Sequence, residues 1–590
     1  MIKTNWDLSQ IYSSDEEFKN DYDKVKNLSL ELEKFRGKLE NADKTTLLNY
    51  FKLDDEFSAL LEKLAVYAHC KNDDNGKDDN NVRNYMIIND FYSQVSEKLS
   101  FTKTELANLD ENFLNDVLND SDFTDYSRVI EYLIRTKKHI ISEKEESMLA
   151  NISGFTNLDD IYSIISDIEM FHGEVEDENG KKIVLNTGNY NALLKNKNQN
   201  FRKKVMETYL KEYKRFNLTI SNLYTSHVKY ENFIAKIRGY KSTLDMKTYD
   251  EQVDSNIMMK NIEYVKNNKK LMQRYFKVKK EILGVKDFYS SDISVNLPFG
   301  DRKIPYEEAV NDIKDSFKPL GRDYQEMFEK ALNDGWIDAL PRENKASGGY
   351  TISTFLTHPY ILLNYDSTQY WKSAIAHEFG HAMHSYLSKK TQPFAKSQYT
   401  IFVAEVASLT NEILLTKYSL GKDIDDSQRM QILADFLALF YLNVFNSTML
   451  AEFELFVHDK LWQGESLTAN DLNEKFVKIC NEYYGDSVQL VENFECEWER
   501  KSHIYRDYYL YKYSTGLVVA CAVASKILAD KDGEYLKKYK TFLSLGDALN
   551  PMDSLKVIDI DVTSEETYKF AFNMFDEYLT QLNDIYKSTL

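Results

Sequence analysis

Thr368-Gln369-Tyr370-Trp371-Lys372-Ser373-Ala374-Ile375-Ala376-His377-Glu378-Phe379-Gly380-His381-Ala382-Met383-His384-Ser385-Tyr386-Leu387-Ser388-Lys389-Lys390 reads as one helical segment with an H-E-x-x-H pattern at its centre. His377 and His381 are four residues apart, so a helical period stacks their rings on one face, where both reach one ion. Glu378 directly follows the first histidine, the place a general base for metal-bound water takes in metalloproteases. The plain alternative is an amphipathic helix with ordinary core or surface histidines. With only ten histidines in 590 residues, that coincidence is uncommon.

A catalytic zinc site usually has three protein ligands and one position left for water, so a further donor is expected. His384 shares the helix face at i+7 from His377, but a rise of about 1.5 Å per residue puts them roughly 10 Å apart along the axis. His384 is therefore expected beside the site, facing substrate or supporting a ligand. A second helix begins near Tyr399, after the break Thr391-Gln392-Pro393, and carries Glu405 among Phe402, Val403, Val406 and Ala407. A carboxylate in such surroundings needs a cation, and zinc supplies one; a Lys or Arg partner is the alternative. A short loop returns this helix antiparallel to the first, which favours Glu405 as the third ligand. Glu412, at i+7 from Glu405, is the other candidate, or it orients a ligating histidine.

Upstream, Ser347-Gly348-Gly349 leads into two β-prone runs, Tyr350 to Phe355 and Pro359 to Tyr365, so a small sheet is expected beside the metal-binding helix. From Asp15 to about Ile168 apolar residues recur at helical spacing, as in Leu47-Tyr50-Phe51 and Phe57-Leu60-Leu61-Leu64. A short hairpin is expected between His172 and Leu185, turning at Glu176-Asp177-Glu178-Asn179-Gly180, and marks a boundary near residue 195. Helical periodicity resumes from Asn200 to Leu283, with Phe201, Val205, Tyr209 and Tyr213 at i+4 steps. The expected organisation is mainly α, with an N-terminal helical lobe over 1–195 and a catalytic domain over 196–590.

Seven prolines and twenty glycines are few for this length and favour long helices. A formal charge of −20 argues against nucleic acid and anionic membrane surfaces as partners. Cys70, Cys480, Cys496 and Cys521 have no C-x-x-C spacing, which points away from a disulfide framework and from a thiolate zinc site. The start, Met1-Ile2-Lys3-Thr4-Asn5-Trp6-Asp7, has no apolar signal-like run, and the apolar runs Phe436 to Phe445 and Leu517 to Ala524 are shorter than the roughly 18 residues of a membrane span. A cytoplasmic protein without a membrane partner is expected. Oligomeric state and cleavage preference are not set by these features.

Ala376-His377-Glu378-Phe379-Gly380-His381-Ala382-Met383-His384-Ser385, followed by Phe402-Val403-Ala404-Glu405-Val406-Ala407-Ser408, strongly resembles the M3 metallopeptidases, in particular their oligoendopeptidase F branch. The resemblance extends to Trp6-Asp7-Leu8, Ser347-Gly348-Gly349-Tyr350, Leu362-Leu363-Asn364-Tyr365 and the segment from His503 to Gly516, and so covers essentially the whole chain. It implies a mostly helical, two-lobed enzyme with a deep channel admitting short unfolded peptides, one Zn²⁺ per chain, and endopeptidase chemistry. It also implies His377, His381 and Glu405 as ligands and Glu378 as base. No Gly-x-Met-Glu-Asn segment of the zinc aminopeptidases is present, which sets an exopeptidase second.

By the same resemblance, the segment rich in His and Tyr supplies groups that stabilise the tetrahedral intermediate. Five tyrosines fall between Tyr505 and Tyr513, and phenol and imidazole are suitable donors to an oxyanion. His503, Tyr505 and Tyr508 are the leading candidates, with Tyr509 and Tyr511 as rivals on the substrate side. Gly349 and Tyr350 are expected to hold peptide substrate through backbone hydrogen bonds. Two positions depart from relatives: Ser373 replaces an acidic residue of some M3 branches, and Leu409 stands where thermolysin-like enzymes place an aspartate.

Overall fold

The structure is a computed structural model and describes residues 2–153, 157–300 and 302–589. It is mainly helical, with two small sheets among the described residues. Side-chain caps start many of the helices: Asp43 accepts from the Thr46 N–H ahead of Lys44–Asp74, and Asn198 from the Phe201 N–H ahead of Gln199–Ile237. The apolar stripes named above are the buried ones. Leu47, Tyr50, Phe51, Phe57, Leu60, Leu61 and Leu64 are buried along the first of these helices, and Phe201, Val205, Tyr209 and Tyr213 along the second.

The chain forms two compact units, each assembled from three separate stretches. One comprises Met1–Ile140, Asp301–Gly421 and Val523–Ile560; the other comprises Ile141–Gly300, Lys422–Ala522 and Asp561–Leu590. This division differs from a cut near residue 195, because distant stretches share a core. In the first unit Tyr360 joins the same buried apolar cluster as Leu47, Phe51 and Leu64, and the Trp6 indole N–H donates to the Ile361 carbonyl at 2.8 Å.

The first unit holds the motif helix Gln369–Thr391, the helix Ile401–Leu420, and a three-stranded sheet in the order Ile337–Asp338, Tyr360–Leu362, Tyr350–Ile352. The central strand is fully buried and runs parallel to the first. It runs antiparallel to the third, pairing Tyr350 with Leu362 and Ile352 with Tyr360. Tyr350–Ile352 is thus an edge strand, half-buried along its length.

The second unit contains the expected hairpin, Glu174–Glu176 against Lys182–Val184, whose turn is closed by Asp177 accepting from the N–H groups of Asn179 and Lys181. Contrary to the reading of short apolar runs, two helices among the described residues of the chain, Asp426–Trp462 and Tyr511–Ala529, are long and apolar enough to cross a membrane by length and composition. Their most apolar windows are 61% and 67% buried within the protein, the pattern of core helices, because their apolar residues pack inward from flanking positions that a count of consecutive residues omits.

Candidate metal centre

Thr368 caps the motif helix by accepting from the Trp371 N–H, and the helix stops at Thr391 before Gln392 and Pro393. The helix Ile401–Leu420 then packs against it at the closest approach backbones allow. A Cβ on Gly380 would lie 2.5 Å from Ser408 Cα and 2.7 Å from both the Ala407 carbonyl oxygen and the Ser408 nitrogen. Only glycine fits that crossing. It sits one residue before His381 and opposite the turn that bears Glu405, so it sets the spacing between the histidines and the carboxylate.

Glu405 Oε2 lies 3.5 Å from His377 Nε2 and 3.6 Å from His381 Nε2. One donor atom from each of the three residues is within 4.8 Å of the others. Donors around a tetrahedral ion with bonds of about 2.1 Å are about 3.4 Å apart, close to both carboxylate-to-imidazole distances, so this set fits a metal. The side chains retain 24%, 19% and 28% of their exposure, which leaves a face open to a further ligand. Ser408 Oγ donates to Glu405 Oε2 at 3.0 Å and holds that carboxylate in place.

Glu412, the other candidate donor, lies on the opposite edge of the His377 ring. Its Oε1 is 2.7 Å from His377 Nδ1, and its Oε2 accepts from Ser373 Oγ at 2.6 Å. An ionised carboxylate only accepts, so Nδ1 carries a proton and Nε2 is directed towards Glu405. The serine that departs from the acidic residue of some relatives is thus a hydroxyl donor to Glu412. Burial disfavours charge on His377, but the bond and charge of Glu412, with Glu405 and Glu378, outweigh it and raise its pKa to about 9. The pocket favours positive charge at this point. His381 is pushed down to about 4, by burial first and then by the charge of His377.

Glu378 is turned towards the edge strand. Thr351 Oγ1 donates to Glu378 Oε2 at 2.7 Å and also lies 2.8 Å from its carbonyl oxygen. Burial raises the Glu378 carboxyl above its ordinary range, and the Thr351 bond partly offsets this. Beside Thr351, the Tyr350 hydroxyl donates to Asp73 Oδ2 at 2.8 Å, and Gly349 packs against Leu363 and Trp371.

His384 does not face outward as a substrate contact would. It is 1% exposed, and its ring lies parallel to Tyr399 with centroids 3.7 Å apart. Burial drives its pKa down to about 3, which keeps it neutral.

The segment from His503 to Tyr513 belongs to the second unit, and the structure divides its candidates by burial. Tyr505, Tyr508 and Tyr511 are 6%, 2% and 1% exposed and pack inward. Tyr505 contacts Tyr162, Tyr224 and His227, while Tyr508 lies against His458. His503 is exposed and Tyr509 half-buried; their rings form a triangle with Tyr513, Tyr509 lying 6.4 Å from His503 and 5.2 Å from Tyr513 between centroids. An alternation of buried and accessible tyrosines cannot be read from a run of aromatics.

Several residues that build this centre were not singled out from the sequence. Thr351 and Ser408 carry no local signal, since both are ordinary hydroxyls whose partners come from another strand or turn. Gly380 did carry one: a glycine inside a helix costs about 1 kcal/mol against alanine and calls for a packing reason.

Two sequence profiles match the chain, that of Peptidase family M3 over residues 192–574 and that described as Oligopeptidase F over residues 105–170. Oligopeptidase PepF of Bacillus subtilis (strain 168) is 31% identical over 589 residues, covering 98% of this chain and 87% of that protein. An oligoendopeptidase F homolog of Borreliella burgdorferi is 31% identical, covering 99% of this chain and 98% of that protein. Among solved structures, a putative peptidase from Chlamydophila abortus superimposes with a TM-score of 0.92 at 28% identity, covering 99% of this chain and 98% of that one. Oligoendopeptidase-F from Enterococcus faecium gives 0.74 at 26% identity, covering 97% of this chain and 99% of that one. With a profile match over more than half its length that includes the His377, His381 and Glu405 cluster, and with relatives aligned almost end to end, the chain belongs to peptidase family M3 and is a metallopeptidase.

Proposed function

We propose that this metallopeptidase is a zinc-dependent endopeptidase that hydrolyses internal bonds of short, unfolded peptides, with one catalytic zinc ion per chain. The observation that carries the reading is the convergence of His377 Nε2, His381 Nε2 and Glu405 Oε2, with the Glu378 carboxylate held beside them by Thr351. Two imidazoles and a carboxylate with one face open are the donor set of hydrolytic zinc sites. When bound, the ion supplies Lewis-acid polarisation of the peptide carbonyl and acidifies water.

The chain's own groups do the rest in this proposal. Glu378 takes the proton from the attacking water and passes it to the leaving amine; its burial raises its proton affinity above the ordinary carboxylate range, the direction that suits a group that must hold a proton. Glu412 keeps the His377 proton on Nδ1. The edge strand Tyr350–Ile352 has no strand partner on its outer side among the described residues, and a peptide can pair with it by main-chain hydrogen bonds. In the His503 to Tyr513 segment, the role of donor to the oxyanion falls to His503 and Tyr509, which are accessible, rather than to the buried Tyr505, Tyr508 and Tyr511. The restriction to short peptides follows the relatives, an oligopeptidase and an oligoendopeptidase F homolog. A cytoplasmic site of action is part of the proposal, in keeping with four buried cysteines.

Digestion of a mixed peptide library, with and without a chelator and with products identified by mass, tests the reading. Internal cleavage that stops on chelation and returns with zinc is expected. Release of single terminal residues would replace it with an exopeptidase, and chelator-resistant cleavage would remove the metal from the mechanism.

A further inference from the structure

The second compact unit carries another convergence of metal-binding donors, from Glu454 and His458 on the helix Ser447–Trp462 and from Asp507. One donor atom of each lies within 4.8 Å of the other two. Glu454 and His458 are 0% and 2% exposed, and the Asp507 side chain 3%.

Hydrogen bonding fixes the Nδ1 proton of His458. Asn232 Nδ2 donates to the His458 carbonyl oxygen at 3.1 Å, which places the Asn232 amide oxygen 3.2 Å from His458 Nδ1. An amide oxygen only accepts, so Nδ1 bears a proton, and in the neutral ring Nε2 presents a lone pair. That atom is 3.2 Å from Asp507 Oδ1, yet it is buried without a hydrogen-bond partner. Two lone pairs held that close repel unless positive charge lies between them. Glu454 Oε2 is likewise buried without a hydrogen-bond partner, while Oε1 accepts the Tyr508 N–H at 2.6 Å. The His377 and Glu405 pair shows the same arrangement, with Nδ1 committed to an acceptor and Nε2 facing a carboxylate oxygen outside hydrogen-bond geometry.

The surrounding charges do not balance among themselves. Lys247 lies 2.9 Å from Glu231 and 3.3 Å from Asp507, and His227 Nε2 is 3.0 Å from Asp507 Oδ1. Three carboxyl groups, those of Glu231, Glu454 and Asp507, thus gather around the single ammonium of Lys247 and the His227 ring, an excess of anionic donors that suits a cation.

We propose that Glu454, His458 and Asp507 form a second, structural site for a divalent cation of the zinc class, independent of the His377, His381 and Glu405 centre. Two carboxylates and an imidazole suit zinc and similar borderline ions. Burial on all three sides gives the ion no substrate-facing position. Its task is to pin the turn at Asp507 and Tyr508, where Tyr508 adopts a φ of +57° that a bulky aromatic residue rarely takes. That turn carries the chain from His503 to Tyr509.

The test is metal content of the full chain, stripped with chelator, reloaded with zinc chloride, freed of loose ion by gel filtration and measured by mass spectrometry. Two zinc ions per chain are expected for the wild type, one for His377→Asn/His381→Asn, and one for Glu454→Gln/His458→Gln. Fewer than two in the wild type, or no decrease in Glu454→Gln/His458→Gln, overturns the proposal. Because that last variant can be poorly folded, the melting temperature of the His377→Asn/His381→Asn chain is compared in EDTA and in zinc. A rise with zinc that the single change Glu454→Gln abolishes is expected. The competing state, a protonated Glu454 with no ion, predicts a melting temperature indifferent to zinc and unchanged by Glu454→Gln, and that result would overturn the site.

Discussion

Replacing Gly380 by alanine separates the architecture of the centre from its chemistry, because the substitution adds one methyl group and touches no donor. The new Cβ would lie 2.5 Å from Ser408 Cα, whereas non-bonded carbons rest at about 3.5 to 4.0 Å. The other close atoms, the Ala407 carbonyl oxygen and the Ser408 nitrogen at 2.7 Å, are also backbone, so no side chain can swing away. The two helices must therefore part by about 1 Å. Overpacking of this kind costs about 1 to 3 kcal/mol, and the better helix propensity of alanine returns about 1 kcal/mol, so stability falls by about 0 to 2 kcal/mol. The centre suffers more. Glu405 is carried on one helix and both histidines on the other, and metal sites tolerate about 0.2 Å of error in bond length. A misplacement near 1 Å costs roughly 10²-fold in catalysis. Zinc affinity, read by competition with a chromophoric chelator, and kcat/KM on an internally quenched peptide should both fall by about that factor while the protein stays folded. Wild-type affinity and turnover in Gly380→Ala would refute the claim that this crossing sets the ligand geometry.

Substitutions at five further positions probe the site and the fold. Glu378→Gln should keep zinc bound and lower kcat by roughly 10² to 10⁴, the scale for loss of a general base, with turnover near wild type counting against the assignment. Glu412→Ala leaves His377 Nδ1 without its acceptor, so zinc affinity should fall about 10- to 100-fold, and less in Glu412→Gln, which keeps an accepting oxygen. Tyr509→Phe should lower kcat with KM nearly held, whereas Tyr508→Phe, at a buried ring, should act on melting temperature; the reverse pattern would return the donor role to Tyr508. His358, stacked on Trp336 at 4.5 Å, has its pKa pushed from 6.5 down to about 4, chiefly by burial. As pH falls from 6.5 towards 4 the unfolded chain takes up a proton that the folded chain resists, so stability drops by at most about 1.4 kcal/mol per pH unit. His358→Phe keeps a ring and removes the titration, so its melting temperature should fall less steeply between pH 6.5 and 4.5; parallel curves would show that burial at His358 is not the cause.

The sequence by itself determined what depends on local periodicity. A helix places His377 and His381 on one face whatever surrounds it, and the same rise per residue removes His384 from the ligand set. The mainly helical character follows in the same way from the spacing of apolar residues and the scarcity of proline and glycine, and the small sheet from the β-prone runs ahead of the motif. Tertiary structure decided whatever depends on the approach of distant segments. Glu405 and Glu412 lie on one helix and are equally suitable carboxylates. Only the crossing at Gly380 puts the first beside both Nε2 atoms and the second on Nδ1 of His377. The tyrosines of the His503 to Tyr513 segment are alike in sequence, and packing alone buries Tyr505, Tyr508 and Tyr511 while leaving His503 and Tyr509 accessible. The same holds for the compact units, which gather stretches far apart in the chain, and for the orphaned atoms of Glu454 and His458. Periodicity is a property of neighbours along the chain, whereas a ligand set and a buried charge are properties of neighbours in space.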